Sequence, residues 1–414
     1  MAKLKFIDLC CGIGGFHQAL TKMGMKCVLA SDIDDNCKET YKNNYGIDVK
    51  GDLKDIVIKD IPKFNVLCAG FPCQPFSKSG HQLGFKDSRG NIFFDICKIV
   101  DYHKPEYLIF ENVRNFAGHD KGNTWNVVKK TIRELGYKTY DDPLILNTLY
   151  FGIPQSRERV VILCKRNDMG ELKELPKIVK KERIKTTSLT SIIQQNNTSN
   201  KITGRLKVTE KVWDEFLEIL IKNNISVPKF PIWTDWWDSD GEGTAVTKKD
   251  KTKTDEENNE IIKKKQFEFY NKYEKWIVSN REFYEEHKSK LRPWLEKSRK
   301  KEKWKGAVRK MEWQTGMDGL RMNEVLWSPR GSGVRIKKID YSPTLVAMAS
   351  MTPIYGPLSR ELTPRECARL QSFPETFKIH PNKKIAYKQF GNAVNVEMIE
   401  KSARFLIENK NLFN

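Results

Sequence analysis

The chain has 414 residues, 39% of them hydrophobic and 30% charged, enough for two domains or one large domain with an insertion. No apolar run approaches the roughly 18 residues of a membrane span, and "MAKLKFIDLCCG" enters a strand-like pattern without a signal-peptide layout; a soluble cytoplasmic protein with no membrane partner is expected. The formal net charge of +20 points to a polyanionic partner, most often nucleic acid.

The first 165 residues alternate short apolar runs with helical patterns. "KFIDL" reads as a strand, followed by a glycine turn and a helix from about Gly15 to Met23. "KCVLAS" is a second strand, and a helix lies near Asp34 to Asn43. "FNVLCAG", "EYLIFEN" and "RERVVILC" read as further strands; "NIFFDICKIVDYH" and "GNTWNVVKKTIRELG" read as helices. Such alternation predicts a doubly wound, mostly parallel α/β sheet. After about Arg166 the character changes. Residues 186–335 hold nine of the ten tryptophans, and Lys288 to Lys310 carries eleven basic residues against two acidic ones. "KKDKTKTDEENNE" (248–260) reads as a solvated linker, and 260–305 as helical. The α/β pattern returns at about Arg335, with a helix starting near Pro364, then a loop through "AYKQFGNAV" and an amphipathic C-terminal helix. The expected architecture is one α/β domain, 1–185 plus 336–414, interrupted by a smaller domain, 186–335.

Nine cysteines, an odd number without any CxxC, argue against a zinc site or a disulfide framework. The glycines of "LCCGIGGF" follow the first strand with spacing GxGG, which leaves the dinucleotide fingerprint incomplete. Asp32 ends the second strand, where a carboxylate can accept the hydroxyls of an adenosine ribose. Asp52 sits where a third strand would end and could accept from the adenine amine. These features favour an adenosine-containing ligand and do not separate a nicotinamide dinucleotide from S-adenosylmethionine. "AGFPCQPFSKSG" (69–80) places Cys73 between Pro72 and Pro75 after an apolar strand. That makes a stiff loop at the sheet edge where such folds bind ligands. "FENV" puts Glu111 at another strand end, and Arg157 and Arg159 in "QSRER" alternate on one face if extended.

Through these motifs the chain resembles the DNA cytosine-5 methyltransferases of bacterial restriction-modification systems. The matches fall in family order: "FIDLCCGIGGF", "SDID", "GDL", "GFPCQPFS", "DSRGNIFFDI", "FENVRNF", "NTLYFGIPQSRERVVIL", "RELTPRECARLQSFP" and "QFGNAVN". The resemblance implies an S-adenosylmethionine-dependent, Rossmann-like methyltransferase fold with an inserted target-recognition domain. It implies a monomer acting on duplex DNA, alongside a cognate restriction endonuclease, that releases S-adenosyl-L-homocysteine. Cys73 then matches the nucleophile, Glu111 the group at cytosine N3, and Arg159 the group at O2, with Arg157 supporting the loop and a nearby phosphate. The cofactor positions implied are Asp8, Cys10, Gly12, Ile13, Gly14, Gly15, Asp32, Ile33, Asp52, Leu53, Gly70, Pro72, Ile92, Asn392 and Val394. Ser77, Arg89, Asn112, Arg330 and Arg335 are the expected DNA contacts. Many members carry Phe where this chain has Cys10. Rival readings are the same chemistry on tRNA, a catalytically inactive DNA-binding relative and a Rossmann-type oxidoreductase. The missing GxGxxG and the unexplained "FPCQPFS" disfavour the last.

Overall fold

The computed structural model describes residues 3–72, 92–176, 188–238, 254–316 and 321–413, apart from the side chains of 265–267 and 269. The chain divides into two units: residues 1–194 with 340–349 and 363–414, and residues 195–339 with 350–362. Among the described residues no helix is long and apolar enough to cross a membrane.

The first unit opens with β1 (Lys5–Leu9), α1 (Gly15–Lys22), β2 (Lys26–Ser31), α2 (Asp35–Tyr45), β3 (Val66–Ala69), α3 (Ile92–His103) and β4 (Tyr107–Val113). It continues through α4 (Asn123–Glu134), β5 (Tyr137–Lys138), β6 (Leu144–Asn147), β7 (Gln155–Ser156) and β8 (Glu158–Arg166). The main sheet runs β2-β1-β3-β4-β8-β5, with β6 also paired to β8. β1 to β4 are mutually parallel, whereas β8 is antiparallel to β4. Strand order reverses between β1 and β3, so the crevice beyond their carboxyl ends is where an open α/β sheet binds its ligand. The strands at this centre are buried on both faces, as parallel strands covered by helices must be.

The second unit contains α5 (Gly204–Lys222), β9 (Ile232–Trp233), α6 (Asp255–Arg299), β10 (Lys310–Gln314), β11 (Leu326–Arg330) and β12 (Gly333–Lys337). The chain crosses back to the first unit for β13 (Ser342–Pro343), which pairs with β7. It then returns to the second for β14 (Ile354–Tyr355) and β15 (Arg360–Glu361), which complete a six-stranded sheet. Residues 350–362, which the sequence pattern groups with the C-terminal segment, therefore belong to the second unit. Its core is where the tryptophans go. Trp213, Trp294 and Trp304 pack together with ring centroids 5.6 to 6.0 Å apart. The indole N–H groups of Trp213 and Trp294 donate to Val308 and Val212 carbonyls. Trp236, Trp237, Trp313 and Trp327 are buried as well, so seven of the nine serve packing, whereas Trp276 is exposed.

Three local expectations change. Residues 255–260 are helix, because Thr254 and Glu257 form a capping box that starts α6 earlier than the charge pattern suggests. No third strand ends at Asp52: Lys50 makes only an isolated bridge to Ser31, and Asp52 caps a short turn at Leu53–Asp55. "AYKQFGN" is helical, within α8 (Lys383–Asn392), capped by Asn382 accepting from the Lys384 and Ile385 N–H groups. It follows α7 (Pro364–Leu370) and precedes α9 (Val396–Glu408).

Candidate active site

The turn after β1 is held in an uncommon conformation. Cys10, Gly12 and Gly14 have φ of 51°, 53° and 83°, the left-handed region glycine occupies without penalty. A Cβ on Gly15 would lie 2.4 Å from Val394 Cγ2 and 2.7 Å from its carbonyl oxygen. The absent side chain is what lets the C-terminal segment press against the turn. Asp32 fixes the turn from β2: Oδ2 accepts from the Gly12 N–H at 2.8 Å and Oδ1 from the Asp34 N–H at 2.9 Å. Beneath it the Tyr45 hydroxyl lies 3.1 Å from both the Ile13 and Gly14 carbonyls, and the Tyr45 ring stacks on His17 at 3.8 Å.

These elements frame a cavity of about 380 Å³. Of the expected cofactor positions, Cys10, Gly12, Asp32, Ile33, Leu53, Gly70, Pro72, Ile92, Asn392 and Val394 line it. Ile13, Gly14 and Gly15 build the turn without forming its wall. One expectation needs correction. Asp8 is fully buried behind the turn, 3.4 Å from the Tyr41 hydroxyl, and burial holds its carboxyl well above the usual carboxylate range; it supports the turn from below. Asp52 is not itself a wall residue, although its neighbours Gly51 and Leu53 are; its Oδ1 accepts the Lys54 N–H, which leaves the carboxylate able to accept another donor.

The wall chemistry separates the ligands that the sequence leaves open. Among the described wall residues three are acids, Asp32, Asp34 and Glu111, and none is Lys or Arg. These acids disfavour a pyrophosphate, whereas a sulfonium suits an acidic wall. Ile33, 72% exposed on its own, gives an apolar surface for an adenine ring. Each oxygen of Asp32 keeps a lone pair for a ribose hydroxyl. The site fits S-adenosylmethionine.

The paired cysteines at the mouth of the turn are poor nucleophiles. Burial, then the charges of Asp32, Asp8 and Asp52, push the Cys10 thiol up to about 12; burial drives Cys11 well up too. Cys73, Ser77 and Arg89 lie outside the described residues. The chain just before Cys73 is held, however. Asn112 donates from Nδ2 to the Phe71 carbonyl at 2.8 Å and accepts the Val113 N–H on Oδ1. This buried amide, expected at DNA, instead anchors the backbone two residues before Cys73.

Glu111, near the end of β4, is buried, and Arg159 Nε lies 2.8 Å from its Oε1. That contact is an ion pair, since Oε1 has no well-aligned hydrogen bond. Burial outweighs the pairing on both sides: it raises the Glu111 carboxyl against the pull of Arg159 and Arg157 and lowers the Arg159 guanidinium. Glu111 faces the cofactor cavity, while Arg159 lines a second cavity of about 320 Å³ with Arg114, Ser156 and Thr344. Val113 is a wall of both, so the ion pair stands where the two meet.

Arg157 departs from expectation. It is 1% exposed and turns inward, donating to the Leu345, Gly391 and Ala393 carbonyls at 2.8 to 3.1 Å. Burial pulls its guanidinium down to about 9, still charged at neutral pH. It staples the segment carrying Asn392 and Val394 to the sheet and has no outward route to a phosphate. Arg330 and Arg335 lie in the second unit. Sequence reasoning missed the wall residues Cys37 and Gln389. Only the Asn382 cap, which sets the phase of α8, signals Gln389.

A doubly wound sheet with an acidic, nucleoside-sized crevice beside a buried carboxyl–guanidinium pair defines a class, the Rossmann-like methyltransferases. Comparison with known proteins narrows it. Residues 4–408 match the family described as C-5 cytosine-specific DNA methylase. The chain is 32% identical over 397 residues to the Type II methyltransferase M.HhaI of Haemophilus parahaemolyticus, covering 96% of this chain and 92% of that one. It is 30% identical over 413 residues to the Type II methyltransferase M.HpaII of Haemophilus parainfluenzae, covering 98% and 90%. In fold it is similar to the Entamoeba histolytica methyltransferase EhMeth (TM-score 0.52, 15% identity, 99% of each chain). The S. pombe Dnmt2 methyltransferase is also similar (TM-score 0.50, 18% identity, 98% of this chain and 99% of that one). The chain belongs to the C-5 cytosine-specific DNA methylase family. It transfers a methyl group from S-adenosylmethionine to cytosine C5 in DNA, leaving S-adenosylhomocysteine.

Proposed function

We propose that Cys73, Glu111 and Arg159 carry this reaction on a cytosine flipped from a specific duplex sequence, the observation that carries the assignment being the buried Glu111–Arg159 pair where two cavities meet. Cytosine C5 is too weak a nucleophile to accept a methyl group unaided. The Cys73 thiolate adds to C6, forming an S–C bond and moving electron density toward C5 and N3. Glu111, held toward its protonated form by burial, hydrogen-bonds or protonates N3 and so stabilises that charge. Arg159 supports the cytosine O2 from the second cavity. Bound S-adenosylmethionine supplies an electrophilic methyl group to C5. Loss of the C5 proton to a base then expels the Cys73 thiolate and restores the aromatic ring.

C5 and C6 are inaccessible inside a stacked duplex, so the base must leave the stack at a cost of a few kcal/mol. Phosphate contacts of a chain carrying a net charge of +20 offset that cost. Residues 186–335 serve as the target-recognition domain, and residues 1–185 with 336–414 as the catalytic domain. The protein acts as a monomer in the cytoplasm, at the nucleoid, alongside a cognate restriction endonuclease, as the Type II relatives suggest. Bisulfite sequencing of DNA from cells expressing the chain tests the reading: protected cytosines fall in one short motif. Methylation confined to RNA, or absent, refutes it.

A further inference from the structure

The six-stranded sheet of the second unit has two unlike faces. Met311, Trp313, Trp327, Val334 and Ile336 point into the tryptophan core. The register puts Lys310 and Glu312 of β10, Arg330 of β11, and Arg335 and Lys337 of β12 on the other face: Glu312 lies opposite Arg335, and Arg330 opposite Gly333. Along β10 to β12 that face carries four cations and one acid. Glu312 Oε2 accepts from Arg335 Nε at 3.2 Å and lies 3.1 Å from Nη2. Lys310, buried, has its amine 4.4 Å from the Trp233 ring centroid and 3.8 Å from Glu312 Oε1. Arg330 has no carboxylate partner among the described residues, and its buried Nε is unpaired. Burial and the neighbouring Arg335 both lower its guanidinium. An arginine kept without a counter-charge beside another arginine calls for an acceptor from outside.

Width decides what each cation can reach. The three adjacent strands β11-β12-β10, at about 4.8 Å spacing and with their side chains, exceed the roughly 12 Å major groove. The face as a whole is therefore too wide to enter the groove. The β11–β12 hairpin ends in the exposed two-residue turn Gly331-Ser332, and only this two-strand end is narrow enough to enter. Arg330 is the last residue of β11 at that end.

We propose that Arg330 reads a guanine in the major groove through its two-pronged guanidinium, while Arg335, aligned by Glu312, and Lys337 hold the DNA backbone. This rests on the reading of the second unit as the DNA-recognition domain and adds which residue reads. The decisive variant is Arg330→Lys, which keeps the charge and loses the planar fork that spans guanine O6 and N7. A pool of random-sequence duplexes is methylated by the full-length protein and read by bisulfite sequencing. Arg330→Lys is expected to accept other bases at one guanine of the motif, with discrimination there down about tenfold or more. Its affinity for a duplex lacking the motif stays that of the wild type. Lys337→Gln is expected to weaken all duplexes alike and to reduce the salt dependence of binding by about one phosphate contact. An unchanged Arg330→Lys motif overturns the proposal, as does relaxation at that guanine in Lys337→Gln. Wild-type protein that methylates no duplex motif would instead overturn the reading on which it rests.

Discussion

Gly15→Ala is a one-carbon test of how the cofactor crevice is assembled. Alanine is the better residue in a helix, by up to about 1 kcal/mol, and Gly15, the first residue of α1, does not have a positive φ. Local propensity thus predicts a stabilised protein. The tertiary contact predicts the reverse. The new Cβ would sit 2.4 Å from Val394 Cγ2 and 2.7 Å from the Val394 oxygen, and carbon–carbon contacts are comfortable only at about 3.5–4.0 Å. Val394 must retreat by about 1 Å, and overpacking of this kind costs about 1–3 kcal/mol. Because Val394 is a cavity wall, the cost falls on cofactor binding. Titration calorimetry with S-adenosylhomocysteine should show affinity lowered about 5- to 150-fold, with duplex binding unchanged. Adding Val394→Ala removes the Cγ2 clash and leaves the carbonyl contact, so it should restore affinity only in part. Wild-type affinity in Gly15→Ala, with a raised melting temperature, would show that the turn and the C-terminal segment are not pressed together.

Three further outcomes follow from the site. Arg157→Met strips donors from three buried carbonyls and should cost about 3–5 kcal/mol in chemical denaturation; unchanged stability contradicts its role as a staple. Tyr45→Phe removes the hydroxyl beneath the Ile13 and Gly14 carbonyls. At about 1 kcal/mol, it should raise KM for S-adenosylmethionine about fivefold while kcat holds, and a fall confined to kcat counts against it. The raised Glu111 carboxyl gives turnover a limb that falls as pH rises through its folded-state value. Its contribution to stability has the same sign, present below its ordinary value near 4.5 and lost as pH climbs through the raised one. Arg159→Gln removes a charge that holds this value down, so the limb should move to higher pH; movement to lower pH refutes the pairing.

The parts of this enzyme that were legible beforehand are those set by neighbours in the chain. Glycines after β1, Asp32 at the end of β2 and Glu111 near the end of β4 announce themselves because a parallel strand exposes its carboxyl end at the ligand edge. Asp8 deceived because it lies in the same motif but buries its carboxyl beside Tyr41, on α2. The inward turn of Arg157 depends on carbonyls 188 to 236 residues away, a separation no local pattern carries. The early start of α6 was encoded in Thr254 and Glu257, but its charged composition also describes a solvated linker. Composition alone could not place the tryptophans of the second unit, because it cannot tell a core from a stacking platform. Only the strand register separates Trp327 and Trp313 from Arg335 and Lys337.

The central claim is that Cys73, and not Cys10 or Cys11, bonds covalently to the target base. It is tested most directly with duplex DNA carrying 5-fluorocytosine in the methylated motif, where loss of the C5 substituent is blocked and the covalent species accumulates. In the presence of S-adenosylmethionine, the wild-type chain should form a denaturant-stable adduct whose cross-linked peptide contains Cys73. Cys73→Ser should form none and still bind the duplex. An adduct that persists in Cys73→Ser, or one that maps to Cys10 or Cys11, would contradict the account.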